Sequence, residues 1–450
     1  MRLINKVLVV CVVSVLVGMP SFGFASHKTA HDNSSAEGRP LPSRDTIVAP
    51  SRLTVGGYGE AVFSRHFYSD NVFRYSHAAR YADAPAYSRL DLPHAVIMLG
   101  YDFGHGWSIG TEIEFEHGGV EAAVEKETEE TGEFEQEVER GGEVALEQFW
   151  VQKSFGKGLN IRAGHIVVPV GMTNSNHLPT QFFGLYRPEG ENTIMPCTWH
   201  ETGVSLWGKR GAWRYEVQLL PALNSNLFND AGWVHNGSAS PYEFRPANSL
   251  AGAARVDWTG AKGLRLSVSG YVGNTFNNDI TTAVYTATSR YRDAKGTLAI
   301  GCFDFAYRSR RFMVRGNVDC GHLGDASLIS TRNKNQTTMT GNPYPHTAVG
   351  EWAWDVSHEV GFDLMTLSPR ASGRRLYLFG RYDHYDSFVP AEGWSDVEWA
   401  ERQVVSVGLN YYPLPEIAVK AEAGVRLLAN QYNNEPYCAV GITWAGFFNK

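Results

Sequence analysis

Two strings in this sequence approach catalytic motifs and stop short. His358-Glu359 could open a zinc-protease helix, in which two histidines four residues apart hold the metal and the glutamate acts as base. Val360-Gly361-Phe362 follows instead, and the second histidine is missing. Gly203-Val204-Ser205-Leu206-Trp207 lacks the closing glycine that lets a nucleophilic serine sit on a sharp strand-to-helix turn. Both strings lie in segments of period two, which cannot supply the helix such chemistry needs. No catalytic constellation, cofactor or metal site is expected, and isolated histidines are read as interfacial or loop residues.

What the chain offers instead is charge at every second position. From 416 to 427, Glu416, Lys420, Glu422 and Arg426 share one face, while Ile417, Val419, Ala421, Ala423, Val425 and Leu427 share the other. The same parity places Arg162, Arg214, Arg255, Arg265, Arg315, Arg375 and Arg381 on a polar face with Glu216, Asp257, Asp355, Glu359, Asp363 and Asp383. Two chemistries suit such a face. The charges could pair with one another along a solvated wall, or the cations could form a track for anions, since rings of basic side chains are how anion pores select.

Facing that wall is a loop of roughly thirty residues that starts at Pro169-Val170-Gly171, far longer than a median connection. Its prolines and aromatics mark it as folded. Its candidate site residues are His177, Gln181, Arg187, Glu189 and Glu191, with Asn174 and Asn176 beside them. The expectation is that it turns back into the mouth of a barrel and narrows a water-filled channel. Set against a basic wall, its acids would put a transverse field across the narrowest section.

These groups need strands to position them, and period-two alternation runs from Arg52 to the end. Ala95, Ile97, Leu99, Tyr101 and Phe103 lie on one face and turn at Gly104-His105-Gly106 into Trp107, Ile109, Ile113 and Phe115, opposite Glu112, Glu114 and Glu116. A slip of one residue would set three carboxylates against hydrocarbon, so the register is strongly specified. Further tight turns are read at 156–158, 209–211, 260–263, 309–310, 368–370 and 413–415. Long connections alternate with them near 64–91, 117–143, 166–198, 221–248, 274–296, 323–353, 386–400 and 429–435.

Counting the runs gives about 16 strands. Short and long connections in strict alternation predict an all-β, transmembrane antiparallel barrel with turns at one end and loops at the other. A barrel of that size leaves an aqueous lumen.

The N-terminus and composition bound the setting. Residues 1–25 read as a signal peptide, with Arg2 and Lys6 before an apolar stretch and Gly23-Phe24-Ala25 as a cleavage site. Residues 26–51 read as a flexible leader, and 52–450 as the barrel. Loss of Arg2 and Lys6 from 40 basic residues leaves 38 against 47 acidic ones, a balance that disfavours nucleic acid. The four cysteines after the signal, Cys197, Cys302, Cys320 and Cys438, have neither zinc-cluster spacing nor the density of a disulfide scaffold, although one bridge stays open. The acidic run from Glu121 to Glu143 reads as a solvated loop, with an external cation-binding or screening role as the alternative.

Several strings resemble a known family. Leu146-Glu147-Gln148-Phe149-Trp150-Val151-Gln152, Arg162-Ala163-Gly164-His165, Pro169-Val170-Gly171, Arg187-Pro188-Glu189 and the stretch from Pro196 to Gly203 are similar to the phosphate-selective porin O and P family of Gram-negative outer membranes. Gly380-Arg381-Tyr382-Asp383 and the aromatic final strand add to the likeness. The resemblance implies a 16-stranded barrel, a homotrimer, and a third external loop folded inside.

The expected function is passive diffusion of small hydrophilic solutes or ions, anions including phosphate among them, through a channel set in outer-membrane lipid. The alternative is a surface barrel that acts through its long loops in binding or adhesion.

Overall fold

The computed structural model describes residues 52–118, 143–279, 291–336, 344–368 and 373–448. The signal peptide, the leader and the acidic run at 119–142 lie outside the described residues. The chain forms β1 (Leu53–His66), β2 (Tyr87–Asp91), β3 (His94–Gly104), β4 (Trp107–Glu116), β5 (Glu143–Ser154) and β6 (Asn160–Val167). Then follow β7 (His200–Arg210), β8 (Trp213–Pro221), β9 (Leu250–Ala261), β10 (Leu264–Asn274), β11 (Thr297–Arg308) and β12 (Phe312–Leu323). The last five are β13 (Trp352–Asp363), β14 (Arg375–Val389), β15 (Glu401–Leu414), β16 (Ile417–Leu427) and β17 (Glu435–Phe447).

From β3 onward each strand pairs antiparallel with its sequence neighbour, and β1 closes the sheet between β17 on one edge and β2 and β3 on the other. The result is a closed barrel of 16 staves, because β2 and β3 together make one stave. Between Asp91 and Ala95 that stave advances four residues while β1 moves three, from Val62 to Gly59. The extra residue is a bulge, and Pro93, which has no N–H for the ladder, lies within it. The expected loop at 64–91 is thereby shortened at both ends: β1 runs to His66, and β2 begins at Tyr87.

Alternation does in three dimensions what it promised in sequence. Ile97, Val217, Val256, Val268, Leu378, Val407, Val419 and Ile442 point outward and are exposed. Their strand neighbours Glu112, Arg255, Asp257, Asp304, Arg381, Lys420 and Glu422 point inward and are buried. An apolar band of this extent around a closed sheet is unfavourable in water and matches hydrocarbon. Phe103, Trp107, Phe155 and Trp213, exposed beside the tight turns, supply an aromatic rim at that end.

Tight turns at 105–106, 155–159, 211–212, 262–263, 309–311 and 415–416 share one end, and the long connections share the other. The expected turn at 368–370 falls partly outside the described residues. The interior of β6 to β13 toward the long-loop end is packed with apolar side chains. Ile166, Leu220, Ala253, Tyr271, Ile300 and Ala353 from the wall meet Trp199, Phe228, Trp233, Phe276 and Ile329 from four different connections. Sequence reading expected one loop to enter; several connections fill this side. The four cysteines named above are free thiols.

Candidate functional site

The segment from 168 to 199, between β6 and β7, is held along its length by inward side chains of the wall. At its start Ser269 Oγ accepts from Gly171 N at 3.0 Å, and Arg255 Nη1 donates to Gly171 O at 2.8 Å. Gly171 has φ +82°, and a Cβ there would lie 1.8 Å from Glu191 Oε1, so both backbone and space demand glycine. Arg265 Nη1 donates to Asn176 Oδ1 at 2.6 Å, and Arg315 Nη1 to Gln181 O at 2.7 Å.

Lys420 makes the densest contact. Its ammonium donates to Pro179 O at 2.5 Å, Gly184 O at 2.8 Å and Phe182 O at 2.9 Å, using all three of its donors on one stretch of backbone. Asn410 Nδ2 donates to Phe183 O at 2.8 Å, and Glu422 Oε1 accepts from Leu185 N at 3.2 Å. Arg381 Nη1 reaches Tyr186 O at 3.4 Å.

The short helix Glu189–Ile194 follows. A Cβ on Gly190 would lie 1.8 Å from Asp355 Oδ1, so this helix approaches β13 as closely as backbone allows. Arg426 grips Glu189 in a fork, Nε to Oε1 at 2.6 Å and Nη2 to Oε2 at 2.7 Å. Tyr385 OH also donates to Glu189. Burial alone would raise the Glu189 carboxyl, but the Arg426 guanidinium overcomes it and holds the group down at about 2. Glu191 turns the other way, and its Oε2 accepts from Thr173 N at 2.8 Å and Thr173 Oγ1 at 2.5 Å.

The arginines therefore have partners, which bears on the two chemistries open from sequence. Arg255 is 1% exposed and bonds Asp257 at 2.7 Å and Asp304 at 2.8 Å. Arg265 shares Asp304 at 3.2 Å, Arg315 lies 3.5 Å from Glu359, and Arg381 lies 3.3 Å from Asp383. Arg214 bridges Glu216 and Asp257, while Arg162 donates to Gln152 and lies over the Trp150 ring. Arg375, exposed at the tight-turn end, donates to Tyr377 OH at 3.0 Å. An acidic loop set across a gap from a free basic wall is not what these contacts make. Most of the buried wall cations are engaged by carboxylates or by the segment's own backbone.

His177 lies on the opposite side of the segment from Glu189, against β1, β4 and β5. Its ring is 5.8 Å from that of Tyr58, and its Nε2 is 3.9 Å from Glu112 Oε1. Burial pulls the imidazole down, but the Glu112 and Glu147 carboxylates beside it prevail and raise it above its ordinary value. Arg187 is 9% exposed, with Tyr58, Glu147 and Glu114 as its charged and polar surroundings.

Some participants escaped the sequence reading. Arg402 reaches Glu189 at 3.9 Å, and parity with buried Val404 could have placed it inside. Glu435 binds both Arg426 and Arg74, and nothing local in the sequence signals that join.

The same architecture occurs in solved structures. The chain superposes on the outer membrane channel DcaP of Acinetobacter baumannii with a TM-score of 0.50, 11% identity, and coverage of 89% of this chain and 98% of that one. On Salmonella typhi OmpF, solved with daunomycin, the TM-score is 0.52 at 11% identity, covering 88% and 97%. The fold is the closed antiparallel barrel of these solved structures. At that identity the likeness concerns the barrel alone. In sequence, an uncharacterised protein of Aquifex aeolicus is 25% identical over 401 residues, 87% of this chain and 79% of that protein. No family model matches the chain.

Proposed function

We propose that this chain is an outer-membrane porin, a passive and non-catalytic path for small hydrophilic solutes or ions. One observation carries the reading: a closed barrel of 16 staves is apolar outside and charged inside, and a thirty-residue connection is tied by its backbone to wall strands from β9 around to β16. Such a tether fixes the cross-section available to solute, as a constriction must. In this reading 168–199 is the constriction loop, with His177, Gln181, Arg187, Glu189 and Glu191 on it. Residues 1–25 direct export and are removed, and the outer face meets lipid.

Phosphate and other anions belong to the solutes proposed, on the family resemblance. The pairing of Arg255, Arg265, Arg315, Arg381 and Arg426 with acids supports a weak charge preference in place of a steep one. The homotrimer also rests on the resemblance, and unheated gel electrophoresis against the boiled chain tests it.

A second reading has an observation of its own. The apolar core inside β6 to β13 narrows the long-loop end, which suits a barrel used for surface binding or adhesion. Swelling of proteoliposomes in a graded series of sugars separates the two. Swelling that falls with solute size supports the channel, and none with any sugar supports the binding barrel.

A further inference from the structure

Where the 168–199 segment meets β4 and β5, three potential ligand groups converge. Glu112 on β4, Glu147 on β5 and His177 on the segment each bring one ligand atom within 4.8 Å of the other two. Glu112 is 3% and Glu147 1% exposed. Glu112 Oε1, Glu147 Oε1 and His177 Nε2 are all buried without a hydrogen-bond partner.

The far side of each group is engaged. Gln148 Nε2 donates to Glu112 Oε2, and Tyr58 OH donates to Glu147 Oε2 at 3.3 Å. His177 Nδ1 lies 3.1 Å from Asn174 O. A carbonyl only accepts, so Nδ1 carries a proton; Nε2 faces the two carboxylates, and a metal ion bound there would take the place of the second proton that they favour on the ring. A backbone carbonyl behind the imidazole is the arrangement that fixes the tautomer and orientation of a metal-ligating histidine. Buried carboxylate oxygens left facing one another are costly, and a cation between them removes both the repulsion and the unmet bonding.

We propose that Glu112, Glu147 and His177 bind one divalent cation of the first transition row, with zinc as the type. One imidazole and two carboxylates suit such an ion, whereas calcium and magnesium prefer oxygen alone. The ion would pin the segment to β4 and β5, across from the Lys420 and Arg426 tethers. The site does not depend on whether the barrel conducts.

The test uses the mature chain in detergent, equilibrated with micromolar zinc, dialysed, and assayed for bound metal by mass spectrometry. The expected result is one zinc per chain, with affinity reduced at least tenfold in H177A, E112Q and E147Q and unchanged in H105N, whose exposed histidine lies in the β3–β4 turn. Because Glu112 and Glu147 are wall positions, H177A on the segment decides the matter if those variants do not fold. Cobalt as a second probe should give visible d–d absorption in the wild type and lose it in H177A. No zinc retained by the wild type, or equal retention and equal cobalt spectra in wild type and H177A, overturns the proposal.

Discussion

Arg426 on β16 holds both carboxylate oxygens of Glu189, 237 residues away in sequence, at 2.6 and 2.7 Å. The pair joins the barrel wall to the helix that ends the long segment. A two-point grip of this kind fixes orientation as well as distance.

Breaking that grip should loosen the segment. Glu189→Gln leaves Arg426 without its fork, and the two side chains are 21% and 17% exposed, so the penalty is smaller than for a fully dry pair. We expect a loss of about 2 kcal/mol in urea unfolding from lipid vesicles. Adding Arg426→Gln should restore part of it. A double variant as unstable as the sum of the two single ones would show that the residues are not coupled.

The same carboxylate sets an acid limit. Its folded value of about 2 lies below the ordinary 4.5, so its contribution is complete above 4.5 and disappears as pH falls toward 2. The stability difference between wild type and Glu189→Gln should be flat from pH 7 to 5 and shrink below 4. Unfolding curves of both proteins across that range measure it, and a difference that grows on acidification contradicts the assignment.

Lys420 serves three carbonyls at once, and methionine at this position keeps the bulk but removes the charge. Lys420→Met should cost about 3 kcal/mol, since Pro179, Phe182 and Gly184 would each lose a charge-assisted bond. Limited proteolysis should cut 179–184 several times faster than in the wild type, with the strands intact. An unchanged cleavage rate argues against Lys420 as a tether.

The outer face makes an opposite demand. Val268 is 60% exposed and points away from the interior near the middle of β10. Val268→Arg should destabilise the barrel in bilayers by about 2 to 4 kcal/mol, while Val268→Leu changes little. Vesicle refolding yields and unfolding midpoints report the difference.

How much of this was legible in sequence follows from the range of the forces. Period two and glycine-rich turns are local, so the staves, their inward and outward faces and the alternation of turns with loops could be read from runs such as 95–115 and 416–427. The break at Leu92-Pro93 was missed because the flanking stretch looks like an aromatic loop. Trp199, Phe228, Trp233, Phe276 and Ile329 carry no period, and their common core exists only once four connections meet. Glu189 and Arg426 were each singled out, yet their union needed the closed barrel. Glu112, Glu147 and His177 come from three elements, so no spacing rule brings them together.

The most direct test of the central claim, that an aqueous path crosses this barrel beside the tethered segment, is single-channel current from purified protein in a planar bilayer. Discrete steps that scale with salt concentration, with a small reversal potential in a salt gradient and larger, noisier steps in Lys420→Met, are the predicted result. A bilayer that stays silent after verified insertion, for wild type and Lys420→Met alike, would contradict it.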